Sequence, residues 1–298
     1  MIFTTQVGEG LAMSLGIRLR DAVVALLIGA VCVGVAVAIA RLALVPAVAA
    51  VLGLDEETTS IVRRVIVTIA MAIGFYFYLR FAKGEDTSKV GFNGRAIFLA
   101  GAGGMGLMAL IIGINGALGG YSFALATPDI ALIAVFLAIF GMAFLEEVVF
   151  RGVLFSVLER NFGLWIALLL PSLTFSLLHL LNDSWGSWFA IAIGFLLGVL
   201  WSLVYWRTGN IWAAGLNHAL WNYTIVISGL PLTGQTDWIG LASLSTEIHG
   251  PSWLSGGAAR PEETVVAVIV TLLAIALLLK PAFVGRGNQP FQTEAPQR

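Results

Sequence analysis

A succession of apolar stretches governs what this chain can fold into, at about 21–43, 61–82, 96–119, 129–157, 163–181, 187–206, 209–229 and 263–280. Each is near or above the roughly 20 residues that a helix needs to cross the hydrocarbon of a bilayer. Backbone groups facing lipid must be satisfied within a helix or a closed barrel, and the alternating pattern of a barrel is absent. The expectation is an all-α, polytopic membrane protein with about eight transmembrane helices. It is read as a single multi-span domain over 1–298, with a catalytic core at 129–229. Composition points the same way. Of 298 residues, 59% are hydrophobic and 11% charged, against about 25% charged in a soluble domain. One soluble core could not enclose that much apolar surface.

Several function classes drop out at once. The net charge of -1 offers no basic surface for nucleic acid. The single cysteine, Cys32, lies in an apolar run, so an intrachain disulfide and a multi-cysteine metal site are both excluded. The N-terminal segment does not read as a cleavable signal, because the apolar run after Arg18 and Arg20 is too long for one.

Lys and Arg set an expected orientation. With a cytoplasmic N-terminus, the inner side receives Arg18, Arg20, Arg80, Lys83, Lys89, Arg95, Arg151, Arg160, Arg207, Lys280, Arg286 and Arg298. The outer side receives only Arg41, Arg63, Arg64 and Arg260. The asymmetry places both termini in the cytoplasm of what is expected to be a prokaryotic cell membrane. The longest outer segment, about 230–262, is polar and reads as a surface loop with the reach of a lid. Gly101, Gly103, Gly104, Gly106, Gly113 and Gly116 crowd the third span, and Gly194 and Gly198 lie four apart in the sixth. They read as close helix packing.

The ionisable residues inside the spans are the informative ones. Such a side chain costs roughly 2.5–3.5 kcal/mol to insert, so it is rare unless paired or functional. The fourth span carries Glu146, Glu147 and Arg151. Glu147 and Arg151 are four apart and share a helix face, which lets them pair. Glu146 points about 100° away and is left to face another helix. The competing reading is an ion-pair staple between helices. Of three histidines, His179 lies in the fifth span, His218 in the seventh, and His249 in the outer loop, where it reads as a solvated surface residue. His218 and Asn222 are four apart on one face. Counted from the cytoplasmic helix ends at 1.5 Å per residue, Glu146, His179 and His218 fall roughly 13–24 Å deep, where they can meet.

A carboxylate and an imidazole sharing a water can make it nucleophilic. A second histidine with an asparagine can donate to the oxyanion on an attacked carbonyl. Together these residue types suffice for amide hydrolysis. Other protease chemistries lack their parts. There is no His-Glu-x-x-His zinc helix, no Gly-x-Ser-Gly, no Gly-x-Gly-Asp, and no histidine near Cys32 in sequence.

Glu146-Glu147-x-x-x-Arg151, Phe175-x-x-x-His179 and His218-x-x-x-Asn222, in that order on successive helices, resemble the CAAX protease and bacteriocin-processing family over about 129–225. The resemblance implies an eight-helix fold and endoproteolysis of membrane-bound or lipidated peptides. It implies Glu146 as the base that activates water, assisted by His179. It implies His218 and Asn222 as the oxyanion hole, with Glu147 and Arg151 structural or substrate-orienting. Two other classes compete: a non-catalytic scaffold or immunity protein of the same fold, and a proton-coupled transporter. The transporter reading calls for repeat symmetry or broken helices in matching halves, and neither is seen.

Glu146, His179 and His218 could also supply three zinc ligands with an open water position. A metal-free site is expected instead, on two grounds. Zinc-bound histidines need a carboxylate or carbonyl behind them, and no acid lies within four residues of either histidine unless one arrives from another helix. Asn222, on the His218 face, is a poor zinc ligand.

Overall fold

The computed structural model describes residues 3–82, 84–179, 188–232, 236–257 and 261–280. Lys83, Arg260, Arg286 and Arg298, used above for orientation, lie outside the described residues. Helix α1 (Phe3–Ile39) passes through a π-helical segment (Ala40–Leu44) into α2 (Val45–Leu52). There follow α3 (Glu56–Phe81), α4 (Gly94–Ala117), β1 (Tyr121–Leu125) and α5 (Leu132–Glu147). A second π-helix (Val148–Phe155) leads from α5 into α6 (Ser156–Phe162), and α7 (Leu164–Leu178), α8 (Trp188–Thr208) and α9 (Ile211–Ile227) come next. The chain ends its described part with β2 (Leu244–Ile248), α10 (Ser252–Ser255) and α11 (Val265–Leu279).

The class is all-α apart from one small ribbon. Among the described residues, five helices are long and apolar enough to cross a membrane: Leu15–Leu52, Thr58–Phe81, Gly94–Ala117, Leu132–Phe162 and Ala190–Thr208. The other expected spans correspond to α7, α9 and α11, of 15, 17 and 15 residues. At 1.5 Å per residue these rise only about 23–26 Å, against about 30 Å of hydrocarbon. Length alone therefore does not make each of them a full crossing.

Local chemistry sets many boundaries. Asp55, Asn93, Asn210 and Thr264 each accept a backbone N–H from the first turn of α3, α4, α9 and α11. Such caps satisfy donors that the helix itself leaves unpaired.

The outer surface is far more apolar than that of a soluble protein, around a core that is itself mostly apolar. Large apolar side chains such as Leu42, Val51, Phe98 and Ile130 point outward, as lipid permits. Set within that apolar core are buried polar residues, among them Asn115, Glu147, Arg151, Ser202, Asn217, His218 and Glu262. The most enclosed of the long spans is Ala190–Thr208, 67% buried against 22% for Leu15–Leu52, so α8 is the central post. Glycine brings the neighbouring helices onto the post and onto α9. A Cβ on Gly198 of α8 would lie 2.7 Å from Ser172 Cβ of α7, and one on Gly104 of α4 would lie 2.1 Å from the Asn217 carbonyl oxygen of α9. Helix α4 consequently runs in close contact along α9.

One end of the bundle gathers residues assigned to the inner side. Arg18 donates to the Asn161 carbonyl, Lys89 and Arg160 pair with Glu85, and Arg207 donates to the Leu278 and Lys280 carbonyls. The segment expected to be an outer loop holds a strand. Residues Leu244–Ile248 pair antiparallel with β1, with Tyr121 opposite Ile248 and Leu125 opposite Leu244. Two five-residue strands carry too little period-two pattern to stand out in sequence.

Candidate active site

Glu147 is fully buried at the end of α5, where the backbone passes into the π-helix. Single π segments inside α-helices recur at functional sites, because they rotate and widen one turn. Arg151 Nη1 donates to Glu147 Oε1 at 2.8 Å, the pairing their four-residue spacing allows. The rest of the guanidinium is turned toward α8. Its Nη2 donates to the Gly198 carbonyl at 2.9 Å and its Nε to Ser202 Oγ at 3.4 Å. Its charge also lies 5.0 Å from the Phe175 ring and 5.5 Å from the Trp201 ring, a favourable placement over aromatic faces.

The same carboxylate oxygen reaches a third helix. His218 Nδ1 of α9 lies 2.9 Å from Glu147 Oε1. A carboxylate paired with arginine only accepts, so Nδ1 carries the proton. The opposite ring nitrogen, Nε2, faces Glu146 Oε2 at 3.9 Å. The imidazole is fixed in its plane by Trp201, whose ring stacks on it at 3.6 Å and 19°. Glu146 is the least enclosed member, with a side chain 28% exposed against 0% for Glu147 and 3% for His218. Four ionisable groups thus meet from two helices: Glu146, Glu147 and Arg151 from one, His218 from the other.

His179 is not inside a helix but caps the C-terminal end of α7. Its Nδ1 lies 2.8 Å from the Phe175 carbonyl, one of the acceptors that a helix end leaves open. A carbonyl can only accept, so this nitrogen also carries the proton and Nε2 is the basic atom of the neutral ring. The His179 ring packs on Phe175 at 4.3 Å, and Phe175 meets His218 edge-on at 6.5 Å. Asn222 is half-buried on α9, one turn beyond His218. His249 bonds Ser122 Oγ at 2.8 Å on the ribbon and takes no part in this cluster.

The stretch 128–224, from just before α5 into α9, matches the family described as type II CAAX prenyl endopeptidase Rce1-like. This stretch is similar to that family. Every residue just described at the cluster falls within it. The likeness covers this stretch alone, and the long apolar helices fit an integral membrane protein. No curated protein and no solved structure matches the chain.

The sequence did not expose Trp201, Ser202 or the Gly198 carbonyl as neighbours of the site. They sit on an apolar helix whose one charge, Arg207, lies in its last turn and marks no face near them. It also did not expose Glu147 as the partner of His218, since the two are 71 positions apart. This pairing corrects one premise about metal. An acid does stand behind His218, delivered by α5, and a carbonyl stands behind His179. Among the described residues, no three His, Cys, Asp or Glu side chains are placed to hold a metal together.

Proposed function

We propose that the chain is an intramembrane endopeptidase that hydrolyses membrane-bound or lipidated peptides at the Glu146 cluster within 129–229. The observation that carries this reading is the His218 ring held between Glu147 and Glu146, 2.9 Å on one nitrogen and 3.9 Å from the other. Glu146 takes a proton from water, with the basic Nε2 of His179 as its assistant. The carbonyl oxygen of the scissile bond gathers negative charge as water attacks, and the intermediate then collapses with cleavage of the C–N bond, the amine leaving with the proton that Glu146 took. His218, carrying protons on both nitrogens, donates Nε2–H to that oxygen together with the Asn222 amide. Glu147 balances the imidazolium from behind and Arg151 balances Glu147, so Glu146, Glu147, Arg151 and His218 sum to no net charge when all are ionised. A charge-balanced group is the tolerable form of ionisation within a membrane.

The test is cleavage of an isoprenylated C-terminal peptide by purified enzyme in detergent, with Glu146→Gln as control. Processing by the wild type that Glu146→Gln abolishes supports the reading, and equal cleavage by both removes it. The same reading has both termini in the cytoplasm, supported by the asymmetry of Lys and Arg. Accessibility tags after Lys89 and at the C-terminus should then report from the cytoplasm, and a tag at Gly240 from outside. A cytoplasmic Gly240 tag would reverse the order of the last spans.

A further inference from the structure

One buried carboxylate has no part in the chemistry above. Glu262 is 5% exposed and sits in the turn before α11, beyond the family-matched stretch. It accepts a hydrogen bond from Trp221 Nε1 at 2.7 Å. Trp221 is fully buried on α9, between His218 and Asn222 in sequence. Its ring meets Trp201 edge-on, with centroids 6.5 Å apart and planes at 87°. Trp201 in turn lies flat against His218. The segment carrying Glu262 is itself pinned. Thr264 Oγ1 donates to the Pro261 carbonyl, accepts from Asn115 of α4 at 3.2 Å, and caps α11 through Ala267 N.

These contacts form a mechanical series. A bond from an indole N–H to a carboxylate is charge-assisted and dry, so turning the Trp221 ring breaks it at full cost. With Trp221 held, its edge fixes the ring of Trp201. With Trp201 held, the imidazole of His218 is fixed across its face, just as Glu147 fixes it at its edge. We propose that Glu262 is a positioning residue for the hydrolytic site, setting the plane of His218 through Trp221 and Trp201. The proposal rests on the peptidase reading for its kinetic consequence, though not for its structural one. It means that the end of the outer segment and α11 tune a site whose reacting groups all lie in 128–224.

The experiment combines histidine NMR with kinetics. The chain has three histidines, so the His218 ring resonance in detergent is assigned by its loss in His218→Gln. A ring stacked on an indole at 3.6 Å carries a ring-current shift that reports the stacking. In Glu262→Ala that resonance should move, and kcat should fall about 10- to 100-fold, as for a misplaced catalytic group. KM should hold, because the His218 contact forms only as the oxyanion forms. Glu262→Gln keeps an acceptor oxygen and should restore both the resonance and most of kcat. Trp221→Phe keeps the ring bulk, removes only the donor, and should move the same resonance. A His218 resonance unmoved in folded Glu262→Ala and in Trp221→Phe overturns the proposal, as does full activity of Glu262→Ala in an enzyme whose wild type cleaves. A wild type without peptidase activity whose His218 resonance still follows Glu262 sinks the peptidase reading and leaves the positioning series standing.

Discussion

Two carboxylates in this molecule each hold two basic groups, and the difference between them separates a staple from a site. Glu85, at one end of the bundle, gives one oxygen to Lys89 and the other to Arg160, both at 2.7 Å. Its cations are 24% and 29% exposed, and the Tyr78 hydroxyl adds a further bond. Glu147, among the spans, gives a single oxygen to both Arg151 and His218. Its other oxygen, Oε2, is buried without a protein partner. A fully satisfied network ties helices together. A network that buries an unpaired carboxylate oxygen and turns one ring nitrogen toward a second acid is costly, and such cost concentrates at functional sites.

The widest separation between the two should come from removing the reactive acid. Glu146→Gln keeps size and hydrogen bonding but cannot take a proton. Cleavage should drop by about 100-fold or more, the scale of general-base removal, with unchanged yield of folded protein. Glu85→Gln should leave cleavage per folded molecule where it was and lower the yield instead. Equal specific activity for Glu146→Gln and Glu85→Gln would erase the distinction between the networks.

Next in size is the cost of stranding a buried charge. Glu147→Gln leaves Arg151, 1% exposed, without its anion, and Arg151→Ala leaves Glu147 without its strongest donor. Breaking a dry pair from one side costs about 3–5 kcal/mol, read as a loss of denaturant resistance in detergent. The double variant Glu147→Gln with Arg151→Leu should recover part of that loss, because neither charge is then orphaned. It should still cleave poorly, since His218 has lost the group behind it. A double variant with normal cleavage would mean that Glu147 acts only as a staple, like Glu85.

How much of this was legible in the sequence follows the same division. The Glu147–Arg151 pair was readable, because four-residue spacing fixes a shared face whatever the surroundings. The helical class was readable from apolar runs of bilayer length. The π-helix at Val148–Phe155 was not, because a one-residue change in hydrogen-bond register leaves no pattern in composition. The Glu147–His218 and Arg160–Glu85 contacts were not readable either, since they depend on how helices distant in sequence pack. His179 was assigned to a helix interior, whereas it ends α7, an offset within the ordinary uncertainty of boundaries read from hydropathy. The β1–β2 ribbon was too short to register against its neighbours.

A smaller effect is expected at the exposed arms of the end network. Burial alone would depress the Lys89 ammonium, yet Tyr205 and Glu85 outweigh it and hold it above its usual value. A raised lysine contributes stability that is complete below its unfolded value and lost as pH rises through its folded one. That loss therefore lies in the strongly alkaline range and not near neutrality. Lys89→Ala and Arg160→Ala should each cost about 1 kcal/mol or less, because partly exposed ion pairs are screened. High salt should shrink both effects while leaving that of Glu147→Gln intact. Losses as large as those at Glu147 would show that the end network is as dry as the central one.

The smallest effect expected is that of chelation, namely none. The geometry makes this the sharper question. Zinc-bound histidines need a group behind the ring, and both have one: Glu147 behind His218 Nδ1 and the Phe175 carbonyl behind His179 Nδ1. Those partners equally serve metal-free chemistry. They put the proton on Nδ1 of each ring, so Nε2 is the acceptor nitrogen of a neutral His179 and, when protonated, a donor on His218. What favours the metal-free form is the company His218 keeps. Asn222, one turn along α9, is a poor zinc ligand and a good oxyanion donor. His218 also shares Glu147 with Arg151, and a dication against that guanidinium would add positive charge where the four ionised groups already balance. Purified enzyme should therefore hold well under one zinc per chain, and prolonged chelation should leave cleavage unchanged. Activity lost on chelation and regained only with added zinc would recast Glu146, His179 and His218 as ligands. Glu147 would then stand behind a metal-bound histidine, and the central network would differ from the Glu85 network by a missing cation instead of by an unpaired oxygen.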